Sequence, residues 1–114
     1  MITPPIITAL RTARPNFLLL APVCVLLGVG VAAQGQASLD GLSAFIALIG
    51  AAFAHVSVNV LNEYDDFRSG LDLRTSRTPF SGGTGTLVAH PHLANQVQAL
   101  GLASLGFTAL CGLF

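Results

Sequence analysis

Glu63, Asp65, Asp66 and Asp72 are four of the five acidic side chains in this chain of 114 residues, and Asn59 and Asn62 stand just before them. They close a long apolar run. Negative charge of this density beside a hydrocarbon phase is unfavourable unless a cation or a charged ligand compensates it. The chemistry it suits is the binding of a hard cation. Asn62 and Asp66 lie one helical turn apart, so an amide oxygen and a carboxylate face the same way. Magnesium takes few carboxylates, keeps several waters and accepts phosphate oxygens from a substrate. Asp72 follows Gly70, where a helix should break, and a bend there would return it toward Asp66. Asn62 and Asp66 are therefore candidate ligands for a hard cation such as magnesium, and Asp72 could join them.

The cations lie close by. Arg68, Arg74 and Arg77 follow the acids in sequence. Guanidinium forks match phosphate oxygens, so these three are expected to clamp a phosphate group that the metal bridges to the carboxylates. Their bland reading is a topology signal with surface ion pairs of little energetic weight. His55, Asn59, Asn62 and Asp66 recur at spacings of four, three and four, which puts them on one helix face. His55 and Asn59 are expected to line the pocket. The alternatives are a satisfied core histidine and, for Asn59, interhelical glue. Asp65 points off this face and is read as solvated or paired with an arginine. Ser81-Gly82-Gly83-Thr84-Gly85-Thr86 looks like a flexible loop; it lacks the lysine ending of a phosphate-binding P-loop.

Apolar runs must position these residues. The chain is 53% hydrophobic and 9% charged, with a mean hydropathy of +0.73. Soluble domains carry about 25% charged residues, so a lipid bilayer is the expected surroundings. Net charge is zero, which argues against a nucleic-acid partner. Runs at 16–33, 42–61 and 97–114 each approach the ~20 residues that cross a bilayer core. The fold class expected is an all-α, polytopic transmembrane bundle with about three membrane helices and a site loop at 63–96. Asp40 or Ser38 should cap the second helix, and Pro91 should start the third. Arg11, Arg14, Arg68, Arg74 and Arg77 are the only basic side chains besides histidine, and none lies in the first linker. The N-terminus and the acidic loop are therefore expected on the cytoplasmic side. Cys24 and Cys111 sit within apolar runs and read as small hydrophobes. A signal peptide is the alternative for the first run.

The stretch from Asn59 to Asp72, followed by Arg77-Thr78-Pro79-Phe80-Ser81-Gly82-Gly83-Thr84-Gly85, resembles the first aspartate-rich region of the UbiA-type polyprenyl (aromatic) transferase superfamily. It is most similar to the menaquinone branch, the 1,4-dihydroxy-2-naphthoate polyprenyltransferases. The core of that motif reads here Asn62-Glu63-Tyr64-Asp65-Asp66, then Gly70 and Asp72. Arg14-Pro15 before the first run also looks familial. Glu63 stands where aspartate is usual. The resemblance implies a nine-helix bundle in the inner (plasma) membrane, of which this chain covers the first third. It also implies a Mg2+-dependent enzyme, with Asn62, Asp66 and Asp72 as catalytic residues and metal ligands, that transfers an isoprenoid from a polyprenyl diphosphate to an aromatic acceptor in quinone biosynthesis. The family carries a second aspartate-rich motif on a later helix, and no acidic residue follows Asp72. The chain is thus expected to be an N-terminal fragment, inactive alone, whose partners include the remaining helices. A cation-coupled transporter fragment or a non-catalytic assembly partner is the alternative.

Overall fold

A computed structural model describes residues 4–35 and 38–114. The described residues form helices and no strand. They are α1 (Pro5–Leu10), α2 (Leu20–Gln34), α3 (Gly41–Arg68), α4 (Thr86–Ala89) and α5 (Ala94–Leu113), with short 3-10 turns between them. Two helical stretches, Gly41–Arg68 and Pro91–Leu113, are long and apolar enough to cross a membrane. A third candidate is the pair Pro5–Phe17 and Leu20–Gln34, which is bent by 45°.

The longest helix has clear ends. Asp40 is extended and its carboxylate accepts from the backbone N–H groups of Leu42 and Ser43 and from the Ser43 hydroxyl. These bonds satisfy donors that the first turn leaves free, and they hold the Asp40 pKa below its usual value. At the other end Gly70 takes φ 75°, a left-handed conformation that stops the helix. Between them α3 outruns the apolar stretch at 42–61. It continues to Arg68, so Glu63, Asp65 and Asp66 belong to the helix and not to the loop expected at 63–96.

The first run departs further from expectation. Residues 16–33 do not make one helix. Pro15–Phe17 is a 3-10 turn, and α2 begins only at Leu20. Arg14 causes the break: it is left-handed at φ 54°, directly before Pro15. Proline disfavours helical geometry at the residue before it, and its own N–H is missing from any helical ladder. The third run forms α5 over 94–113, entered through the turn Pro91–Leu93.

α3 and α5 pack through small residues. The Thr108 hydroxyl donates to the Gly50 carbonyl at 3.3 Å, and Cβ of Cys111 lies over Gly50. Farther along, Gly101 lies under Leu61 and Val60. Phe53 and Phe107 meet in a tilted pair, with centroids 4.5 Å apart and ring planes at 50°. Side chains without bulk let two backbones approach where lipid gives no hydrophobic drive to pair. The buried core is small and comprises Ala9, Ala13, Val60, Leu87, Leu93 and Val97, with Val56, Tyr64 and Phe67 against it. It joins the N-terminal segment and the second linker to α3. Elsewhere large apolar side chains such as Leu20, Leu27, Val31, Phe45, Val58 and Leu110 stand exposed, as a bilayer-facing surface would.

Candidate functional site

The last turns of α3 place two polar sets on different sides. Asn62 and Asp66 form a pair, the Asn62 amide donating to Oδ2 of Asp66 at 3.0 Å. Glu63, one residue from Asn62, points the other way and is completely buried. It continues the packed register of Val56, Val60 and Phe67, which carries a carboxylate into a position that helix periodicity reserves for the core. That register is the sequence signal for the burial of Glu63, although its charge argues for the surface.

Two segments converge on Glu63. Thr84 donates its backbone N–H to Oε2 at 2.9 Å and its hydroxyl to Oε1 at 2.6 Å. Arg14 brings Nη2 to 3.7 Å from Oε2. Nε and Nη2 of Arg14 are buried with no hydrogen-bond partner among the described residues. The sequence places Arg14 before the first run as a topology charge and as part of the familial Arg14-Pro15 pair, and neither reading predicts its contact with Glu63. Its left-handed backbone turns the side chain inward.

Asp72 comes back to the helix, on the turn Leu71–Leu73 that follows Gly70. It is 3% exposed, and its Oδ2 is buried without a hydrogen-bond partner. Its nearest acidic neighbour through the packing is Glu63. Gly83 seals the gap: a Cβ there would lie 3.0 Å from Oε2 of Glu63 and 3.3 Å from Oδ1 of Asp72. Desolvation raises the Asp72 pKa above its usual value. The charges of Glu63 and Asp66 raise it further, and Arg77 and Arg14 oppose them.

The remaining expected residues divide. The Arg77 guanidinium lies over Gly85, where any side chain would collide with it. Arg68 donates to the Tyr64 hydroxyl at 3.3 Å and lies 5.8 Å from the ring centre. Arg74 reaches back to the Gly70 carbonyl at 3.5 Å. Arg77 thus joins the glycine loop, whereas Arg68 and Arg74 dress the end of α3. Asn59 is buried and donates to the Ala13 carbonyl at 2.9 Å, which ties α3 to the N-terminal segment. His55 is half-buried, two turns before Asn62. Asp65 is exposed. Among the described residues no three His, Cys, Asp or Glu side chains converge as metal ligands. An open cleft of about 390 Å³ lies beside the Thr84–Glu63 contact, lined by Arg11, Arg14, Phe17, Phe80, Thr86 and His90 among others.

No protein-family model matches the chain, and no solved structure matches it. The chain is similar to a 1,4-dihydroxy-2-naphthoate octaprenyltransferase of Bacillus subtilis (strain 168), at 34% identity over 104 residues. The match takes in 91% of this chain and 32% of the relative, so the chain spans about a third of the length of the curated relative it matches.

Proposed function

We propose that this chain forms the first half of the diphosphate site of a UbiA-type membrane prenyltransferase, acting in quinone biosynthesis on a polyprenyl diphosphate and an aromatic acceptor. The observation that carries this reading is Asp72. Its carboxylate is buried with an unpartnered oxygen, beside the Asn62–Asp66 pair and the guanidinium of Arg77. An orphaned acceptor in that setting is unfavourable by roughly 1–3 kcal/mol, more when charged, unless a ligand satisfies it. The similarity to the octaprenyltransferase supports the same choice.

The donor set fits magnesium. Two carboxylates and an amide oxygen are hard ligands, and their scarcity suits a metal that shares its sphere with phosphate and water. Asn62, Asp66 and Asp72 would hold it, and magnesium when bound would neutralise charge on the diphosphate. Every other task falls to the chain itself. Asn62 fixes the orientation of Asp66 through its amide. Arg77, with Arg68 and Arg74 at the rim, offers guanidinium donors to the departing phosphate oxygens, whose charge grows as the allylic bond breaks. The exposed apolar faces of α2 and α5 shelter the isoprenoid and keep water from the allylic cation. Asn59 braces the wall through Ala13, and His55, two turns before Asn62 on α3, would line the cavity below the acids. A cation-transport path would place charge near mid-membrane, whereas these carboxylates gather at the end of α3.

The chain is expected in the plasma membrane, with the N-terminal segment and the site loop cytoplasmic. The remaining helices of the full-length fold would supply the rest of the cavity. The test is a chimera in which this chain replaces the segment it matches in the Bacillus subtilis relative. The reading predicts magnesium-dependent prenylation of the aromatic acceptor in membranes. A chimera that inserts fully but makes no product would refute it.

A further inference from the structure

The buried carboxylate of Glu63 is not among the groups that the proposed reaction uses. Both of its oxygens are occupied by the chain: Oε1 by the Thr84 hydroxyl, Oε2 by the Thr84 N–H and, at longer range, Arg14. An acid at 0% exposure is tolerated only when paired and hydrogen-bonded. Thr84 supplies both direct hydrogen bonds from a loop twenty-one positions away. If the loop lifts, water must take its place at the carboxylate. Gly82, Gly83 and Gly85 all take positive φ, a backbone that lets the loop fold tightly onto α3.

We propose that Glu63 is a positioning residue, a latch that holds the glycine loop closed on α3 and thereby sets Gly83 against Asp72 and Arg77 beside it. The consequence for the site is direct. Closing through Thr84 brings Gly83 to the gap between Glu63 and Asp72 and lays Arg77 across Gly85. The cation that faces Asp72 is therefore delivered by a bond made elsewhere, to an acid whose oxygens are already held by Thr84 and Arg14. Arg14 offsets the Glu63 charge from the N-terminal segment, so three segments that are distant in sequence meet at one carboxylate. The value of this latch to catalysis rests on the diphosphate reading; the latch itself does not.

Paired spin labels test it on the chain reconstituted in nanodiscs, with Cys24 and Cys111 first replaced by alanine. One pair, at Phe80 and Asp65, measures the loop against α3. A reference pair, at Val58 and Leu105, measures α3 against α5. All four positions are exposed. Glu63→Gln removes the charge and one acceptor oxygen, and Thr84→Val removes the hydroxyl without touching the acid. Each is expected to abolish the narrow loop distance and leave the reference distance unchanged, and the double variant should be no broader than Glu63→Gln alone. An unchanged loop distance in Glu63→Gln would overturn the proposal. So would broadening of both pairs, which would make Glu63 a general stabiliser of the bundle. No ligand enters the measurement, so its result is independent of whether the site binds a diphosphate.

Discussion

Thr84 grips both oxygens of Glu63, with its backbone N–H at 2.9 Å and its hydroxyl at 2.6 Å. The contact closes the second linker onto α3, whose final turns carry Glu63, Asp65 and Asp66. It also explains why the glycines of the linker are packed and not merely pliant. Gly83 is at φ 74°, and its α-carbon faces two carboxylates.

Gly83→Ala should therefore unseat the loop. The added methyl meets Glu63 and Asp72 at tight distance, on a backbone that L residues rarely adopt. A cost of about 1–3 kcal/mol is expected, localised to the linker. Hydrogen exchange should report faster exchange at Thr84 and Thr86, with α3 and α5 unaltered.

Asp72→Asn should raise stability at neutral pH in the presence of a chelator. The folded-state pKa of Asp72 is raised above 3.8. A carboxyl raised in this way contributes its stabilisation fully below the unfolded value and loses it as pH climbs through the folded value. At neutral pH the ionised group therefore opposes folding, and the amide removes that opposition. Thermal unfolding in detergent should show a higher midpoint for Asp72→Asn at pH 7. The advantage should shrink as pH falls toward about 3.8.

Asn59→Ala should weaken the attachment of the N-terminal segment, because the Ala13 carbonyl loses its donor. Polar contacts between membrane helices are typically worth ~1 kcal/mol, and a loss of that size is expected. Steric-trap unfolding in bicelles would measure it. A loss near zero would show that Asn59 does not brace this segment.

The sidedness of the membrane can be read by labelling single cysteines in a background without Cys24 and Cys111. Ser38 lies in the first linker, which holds no arginine, and Ser76 among the arginines. The distribution of arginine predicts that Ser76→Cys is labelled from the cytoplasm and Ser38→Cys is not. The reverse pattern would invert the topology.

Much of this architecture was legible because end signals are local. Asp40 as a cap acts through its carboxylate on the next turn, Gly70 as a stop and Pro91 as a start act through their own backbone, and each stands where its residue type directs. The break in the first run was not legible. It depends on Arg14 adopting a left-handed conformation, and tertiary contact with Glu63 accompanies it. The acidic motif drew attention to its carboxylates as a group. Which of them faces a ligand and which faces the core depends on a loop twenty-one positions downstream, and no spacing within the motif encodes that contact. The stripe of four polar residues likewise separated once packed. Asn62 and Asp66 paired, while Asn59 turned to the backbone of Ala13.

The proposed function requires that the Asn62–Asp66 face, and not acidity in general, hold the metal and diphosphate. Asp65 and Asp66 are adjacent and chemically identical, and only Asp66 carries the bond from Asn62. The decisive measurement is prenyl transfer by the chimera with the Bacillus subtilis relative, comparing Asp66→Asn with Asp65→Asn at equal membrane insertion. The account predicts that Asp66→Asn lowers turnover by on the order of 100-fold while Asp65→Asn stays near the parent rate. Equal losses in the two variants, or full activity in Asp66→Asn, would contradict it.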